Sequence, residues 1–247
     1  MKSYLFYDLE TTGLSKPFDQ VLQFAAIRTD VHLKEKERHT LQVRLRPDVI
    51  PSPYALITHR IPFAELRDGM DEYDAVRRIH AILNTPGTVS LGYNTLGFDD
   101  EFLRFSFHRN LLPPYTHQYA SGCGRMDLLP MAVLYYLYKP DGLVWPTVEG
   151  KPSLKLEHLS RENCLAQGRA HDAMVDVEAT VALARRFAGE KTMWDFVLGY
   201  FNKESERERI HKLPSAFESA AGMHLFGVMT GSKFGGDNLY QAPVLYL

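Results

Sequence analysis

Apolar and polar positions change period several times along the chain, and each change predicts an element. Tyr4–Glu10 is an aromatic and aliphatic run of the length of one buried strand. Val21–Thr29 predicts a second strand, and Leu41–Leu45, where charges alternate with apolar residues, predicts a third. Pro51, Pro53 and Pro62 bracket short helical turns. From Asp71 to Leu83 the period becomes helical, with Val76, Ile79 and Leu83 on one side and Arg77 and Arg78 on another. Thr88–Gly92 predicts a short strand and Phe98–Arg109 a helix. Arg125–Tyr138 is apolar and helical and is stopped by Pro140, and Lys155–Asn163 is a short helix. His171–Phe187 is longer, with a stripe of Ala173, Val177, Val181, Ala184 and Ala188 suited to packing on a sheet. Early strands followed by strand–helix alternation predict an α/β domain with a mixed sheet, ending near Gly189.

Past Gly189 the pattern changes. Lys191–Phe201 can form a helix, and Asn202–Lys212 is a strongly charged run that suits a solvated helix end or linker. Met223–Met229 and Leu239–Leu247 read as two strands joined by a turn containing Gly231, Gly235 and Gly236. Two strands alone are marginal in water, so a second domain that has been cut short is expected here.

Composition narrows the class. With 247 residues, 45 % hydrophobic and 23 % charged, the chain can hold one large globular domain plus the beginning of another. A formal net charge of −2 excludes a globally basic nucleic-acid binder, so any DNA contact must rest on local positive charge. Cys123 and Cys164 have neither metal-type nor redox-type spacing, and a reducing cytoplasm is the expected compartment. The stretch from Met1 to Asp8 is too short and too quickly acidic for a signal peptide or membrane span.

The candidate chemistry lies in three acidic motifs. Asp8 and Glu10 sit two apart in a strand, so their side chains leave one face. Alone, such a pair is better read as a solvated strand end before the turn Thr11-Thr12-Gly13, and only the other two motifs turn it into a candidate site. Asp99 follows Gly92-Tyr93-Asn94 and Phe98 where a strand ends and a helix starts, and there a helix dipole also favours an acid. Asp100 and Glu101 are explained by that dipole. In the third motif, His171 to Asp176, Asp172 suits an N-cap, whereas Asp176, one turn further in, has no capping role. Four acids with no matching cations call for divalent metal, for which hard oxygen ligands favour magnesium or manganese. A pair of ions can clamp both the attacking and leaving oxygens of a phosphodiester, and a neutral His171 can take the proton of an attacking water.

These motifs, Asp8-x-Glu10, Asn94-x3-Phe98-Asp99 and His171-x4-Asp176, resemble those of the DEDDh exonuclease superfamily, whose fold is similar to ribonuclease H. Longer strings are similar to the bacterial exonuclease I family: Gln23 to Asp30, Gly92-Tyr93-Asn94, Phe98 to Glu101, Trp145-Pro146, Leu156 to Leu159 and Ala170 to Met174. The resemblance covers nearly the whole chain. It implies a 3′→5′ exodeoxyribonuclease that releases 5′-mononucleotides from single-stranded DNA in repair and recombination. Asp8, Glu10, Asp99 and Asp176 would hold two Mg2+ ions (with Mn2+ as substitute), and His171 would be the general base. Glu10 would also touch the terminal nucleotide. Lys155 stands where the family has a substrate-binding Arg, and keeps the charge without the planar fork. A solvated helix-start lysine remains an equal reading of it. Arg104, Tyr115 and Tyr119, with His117 and Arg125 nearby, occupy positions of family contacts to single-stranded DNA, and the tyrosines read equally as loop cover.

The same resemblance sets the boundaries as residues 1–190 for the exonuclease domain and 191–247 for a linker helix and the first strands of an incomplete SH3-like domain. It implies that this chain retains cleavage but holds DNA poorly between cuts. The exposed edge of Leu239–Leu247 is expected to favour self-association, the protein otherwise being a monomer. A further implied partner is the acidic tail of single-stranded DNA-binding protein, near Lys139, which is also a natural helix-end cation. Two other readings stay open: an exoribonuclease or polymerase proofreading domain with the same five residues, and a non-catalytic single-strand-binding module.

Overall fold

Alternation along the first strand lays out the larger sheet. In β1 (Ser3–Thr11), Leu5, Tyr7 and Leu9 join one buried apolar cluster, which leaves Phe6, Asp8 and Glu10 for the opposite face. The computed structural model describes residues 2–169, 171–213, 215–219 and 222–246. It divides into two units, Met1–Leu128 with Cys164–Ala184 and Leu129–Asn163 with Arg185–Leu247.

The first unit carries a five-stranded mixed sheet. β2 (Val21–Thr29) runs antiparallel to β1 with Asp8 opposite Ala25 and Glu10 opposite Gln23, and β3 (Glu35–Gln42) pairs antiparallel to β2. β4 (Thr88–Leu91) and β5 (Gly124–Arg125) extend the other side in parallel, giving the order β3-β2-β1-β4-β5. Between β3 and β4 lie the helices α1 (Pro53–His59), α2 (Phe63–Asp68) and α3 (Glu72–Leu83), and after β4 comes α4 (Asp99–Arg109). Ala75, Val76, Ile79 and Leu83 of α3 and Phe102, Leu103 and Phe107 of α4 pack into the Leu5–Tyr7–Leu9 cluster. This core therefore lies on the face of β1 away from the acids.

Three elements before α7 differ from the sequence expectation. The third strand is Glu35–Gln42, not Leu41–Leu45, because its polar and charged residues pair with β2 through the backbone ladder and the Arg28–Glu37 ion pair at 3.2 Å rather than through apolar contacts. Val43 instead makes an isolated bridge to Met70. The apolar stretch from Arg125 starts as strand, and the helix α5 begins at Leu128 (Leu128–Tyr138), since Met126 N and Leu128 N donate to Ser90 O and Gly92 O. A short antiparallel pair, β6 (Thr147–Val148) with β7 (Lys151–Pro152), precedes α6 (Leu156–Asn163) and carried no apolar signal.

The helix α7 (Ala173–Gly189) buries Ala173, Val177, Val181 and Ala184 of the expected stripe. In the second unit the Tyr135 ring stacks on Phe187 at 4.0 Å, and its hydroxyl donates to Phe187 O at 2.6 Å. α8 (Lys191–Gly199) and α9 (Lys203–His211) follow, the latter capped by Asn202, whose side chain accepts from Glu204 N and Ser205 N. The charged run is thus a helix. The second sheet has three strands in the order β10-β9-β8: β8 (Ser215–Ser219), which the sequence pattern missed, β9 (Gly222–Thr230) and β10 (Gln241–Tyr246). Leu247, part of the expected last strand, lies outside the described residues. Among the described residues no helix is long and apolar enough to cross a membrane.

Gly92 fixes how the end of β4 approaches β1. A Cβ there would lie 2.5 Å from Tyr7 O and 2.2 Å from Thr95 Cγ2. The Thr95 methyl can turn aside, but the backbone oxygen cannot without moving the strand that carries Asp8. Gly92→Ala is therefore expected to lower stability by about 1–3 kcal/mol, the usual scale of overpacking. Urea denaturation of the two proteins measures it, and an unchanged midpoint would mean that the strand yields freely.

Candidate active site

Beyond Phe6, β4 no longer pairs with β1, so the site begins on an open strand edge. The Leu9 N–H, left without a ladder partner on that side, is taken at 3.1 Å by Asp99 Oδ1 from the first turn of α4. The turn before it is set by Asp127, a buried residue whose two carboxylate oxygens accept from Asn94 N at 2.8 Å and Leu96 N at 3.0 Å. Asn94 there adopts a left-handed conformation, φ +64°, which Asn tolerates better than most residues.

α7 supplies the third motif. Asp172 accepts from Met174 N at 3.1 Å and Val175 N at 3.4 Å, which is the N-cap role that its position suggests. One turn on, Asp176 Oδ2 accepts from the His171 backbone N–H at 3.0 Å. His171 is exposed and left-handed, φ +63°. Asp8, Glu10 and Asp176 each place one carboxylate oxygen within 4.8 Å of the others. Among the described residues these three acids thus converge as metal ligands can, and Asp99 lies beside them.

The charges at this point oppose one another. Burial, then Asp99, Asp176 and Glu10 in turn, push the Asp8 carboxyl well above the ordinary range. Glu10 is raised to about 8 by burial and by Asp176, Asp99 and Asp172, with Arg169 pulling the other way. Asp99 is also raised to about 8, mainly by burial, against the help of the N–H bonds from its own backbone and Leu9. Acids so crowded hold protons until a cation replaces them. The donor set, oxygen only, fits a hard divalent ion.

Asp100 does something else. It is fully buried, accepts from His117 Nε2 at 3.0 Å and Gln118 Nε2 at 3.1 Å, and pairs with Arg125 at 2.5 Å. Burial raises its pKa, but these partners outweigh that and leave it below the usual value. The sequence reading as a plain helix-dipole acid missed this anchor, and it places His117 and Arg125 in a structural tie. Arg104 donates to the Tyr115 hydroxyl at 2.7 Å and pairs with Glu101, while Tyr115 and Tyr119 are 45 % and 70 % exposed. Arg104 and Tyr115 are therefore together. Lys155 and Lys139 belong to the second unit, where Lys155 is exposed and Lys139 pairs with Glu190 at 3.3 Å.

The pattern reading also missed an apolar rim. Leu14 and Phe18, in the turn after Glu10, are 82 % and 80 % exposed, and α1 adds exposed Tyr54 and Ile57. Ser52 N donates to Thr12 O at 2.7 Å, which fastens the start of α1 to this turn. Large apolar side chains in a turn were the available signal.

A mixed β3-β2-β1-β4-β5 sheet with converging acids at the end of its central strand defines a metal-dependent nuclease class of α/β domain. The Exonuclease family model (RNase T) matches residues 5–184, and the chain belongs to that family. It is 37 % identical over 205 residues to exodeoxyribonuclease I of Escherichia coli, a match covering 81 % of this chain and 43 % of that one. Two solved structures are similar over 99 % of this chain and 51 % of theirs. They are E. coli Exonuclease I in complex with a dA16 oligonucleotide (31 % identity, TM-score 0.86) and the zinc-ion-bound form of an E. coli ExoI–ssDNA complex (32 %, 0.87). The fold is thus the ribonuclease H-like one, and the chain spans about half the length of the relatives it matches.

The raised acids predict a particular pH response in chelator. Between the unfolded carboxyl range near pH 4–5 and about 8, the native state holds protons that the unfolded chain has lost. Stability from this cluster is then present at low pH and falls as pH rises towards 8. Glu10→Gln should flatten the decline, as should saturating Mn2+. Melting curves from pH 5 to about 8.5 measure it, and equal slopes for parent and Glu10→Gln would show that the crowding is relieved some other way.

Proposed function

We propose that this protein is a 3′→5′ exodeoxyribonuclease that hydrolyses single-stranded DNA to 5′-mononucleotides with two bound Mg2+ ions. The observation that carries it is the convergence of Asp8, Glu10 and Asp176 within 4.8 Å, with Asp99 beside them. The exodeoxyribonuclease I relatives and the ssDNA bound to similar structures support the substrate. Residues 1–190 make up the exonuclease domain in this reading, and 191–247 a linker helix and SH3-like strands.

The four acids would hold the metal. Bound there, divalent cations supply Lewis-acid stabilisation of charge on the phosphoryl oxygens and a more acidic water. Asp99 and Asp176 are kept in place by Leu9 N–H and His171 N–H, so their positions do not depend on side-chain rotation alone. His171, as general base, takes a proton from the attacking water. The water oxygen bonds to phosphorus, the bond from phosphorus to the 3′ oxygen breaks, that oxygen takes a proton from solvent to become the new 3′-hydroxyl, and a 5′-mononucleotide leaves. Glu10 orients the terminal nucleotide, while Arg104, Tyr115, Tyr119 and Lys155 track the strand by charge and stacking, worth roughly 1–3 kcal/mol per stacked base. The exposed Leu14, Phe18, Tyr54 and Ile57 suit the faces of terminal bases. The compartment is the cytoplasm, the role is repair and recombination, and the acidic tail of single-stranded DNA-binding protein docks near Lys139.

Digestion of end-labelled single-stranded DNA, duplex DNA and RNA tests the assignment directly. Single-stranded DNA should shorten from its 3′ end to mononucleotides, and preference for RNA would instead favour an exoribonuclease. Asp8→Ala and Asp176→Ala should abolish cleavage without loss of melting temperature in chelator, because each removes like-charge repulsion. His171→Ala should slow single-turnover cleavage by on the order of 10²–10⁴-fold. Full activity in either acid variant would remove the metal reading.

A further inference from the structure

A cation that no motif announced acts on the acid cluster. Arg169 lies two residues before His171, in the segment that leads into α7, and its Nη2 donates to His59 O at 3.1 Å. His59 is the last residue of α1 and is buried, with its Nδ1 accepting from Ile61 N at 3.0 Å, so the carbonyl that Arg169 grips belongs to a fixed helix end. The other end of α1 is tied to the turn that follows the acid strand through Ser52 N and Thr12 O. Arg169 also acts on Glu10 as an attractive charge. One residue before it, Gly168 has φ +138°, and a Cβ there would meet Val175 Cγ2 at 2.6 Å, so the loop itself is pressed against α7. A loop so placed needs an anchor on the side away from α7, and the bond to His59 O supplies one.

We propose that Arg169 is a positioning residue of the site: it fastens the loop bearing His171 to the C-terminal end of α1 and holds a fixed positive charge beside Glu10. The inference rests on the metal-dependent reading above. The two roles have different chemical requirements, since the anchor needs only a hydrogen-bond donor and the charge effect needs only a cation. A cation beside the acids competes with bound metal, and removing it makes the cluster a stronger trap for a divalent ion. Because Arg169 is exposed, solvent screens that competition to a modest factor.

The test uses the full chain and four forms: parent, Arg169→Ala, Arg169→Gln and Arg169→Lys. Calorimetric titration with Mn2+ reads the charge, and single-turnover and steady-state cleavage of single-stranded DNA read the anchor. Arg169→Ala should bind Mn2+ about three- to tenfold more tightly and lose about ten- to hundredfold in kcat, with KM for DNA little changed. Arg169→Lys should restore the parent Mn2+ affinity. Arg169→Gln should keep the tighter Mn2+ binding while recovering most of kcat. Unchanged Mn2+ affinity in Arg169→Ala overturns the charge assignment, and so does weaker binding in all three variants, which would mark a collapsed loop. A rise in KM alone would make Arg169 a substrate contact instead. If the parent binds no Mn2+, the metal-dependent reading fails and takes this inference with it.

Discussion

Like charges held together at the end of a buried strand are the constraint on which the first unit depends. Asp8 and Glu10 leave one face of β1, Asp176 meets them from α7, and Asp99 closes in from α4. Without a cation such a group is unfavourable: Glu10 and Asp99 bind protons up to about pH 8. Natural proteins keep such strain where it serves chemistry and stabilise it from the surroundings. Here the surroundings are mostly backbone. Two of the four acids are held by a backbone N–H group, Asp99 by Leu9 and Asp176 by His171.

Those tethers explain why the sheet is built as it is. β4 stops pairing with β1 after Phe6, which releases the Leu9 N–H for a side chain. Gly92 lets the end of β4 come close to Tyr7 O, and Asp127 then turns the chain at Asn94 and Leu96 so that α4 starts beside Leu9. The apolar cluster of α3 and α4 on the other face of β1 is what makes this edge rigid. Fold and site are thus not separable on this strand. The residues that alternate with the acids, Leu5, Tyr7 and Leu9, are the ones that anchor it.

The motif acids were legible because each stands where its local structural role is weak or shared, and because their order along the chain limits coincidence. β1, β2, α3, α4 and α7 were legible because apolar periodicity governs elements that bury one face. β3 was misplaced for the same reason in reverse: Glu35–Gln42 buries little, so its pairing leaves no apolar period. Asp127 stood next to a strongly apolar run and was absorbed into a predicted helix, although it is a separate anchor. Asp100 had a sufficient explanation as a helix-start acid, which hid the buried tie to His117, Gln118 and Arg125. Arg169 was invisible because a cation's partner here is a backbone carbonyl 110 residues away, and no sequence pattern encodes such a bond.

A net charge of −2 was the one feature that argued against a nucleic-acid substrate, and the placement of charge resolves the conflict. Four acids gather where phosphate would have to arrive, so the cluster, once ionised without a cation, repels the very group that it is proposed to cleave. Any cation that neutralises the acids must therefore raise affinity for a phosphodiester. By linkage, a bound phosphodiester must raise affinity for the cation by the same factor. In the proposed reading, Arg104 and Tyr115, which hydrogen-bond to each other, are outside the converging acids, so they would hold a strand by charge and stacking without using the metal ligands. On that proposal, recognition of the strand and commitment to chemistry would draw on different charges, and only the second would depend on the ion.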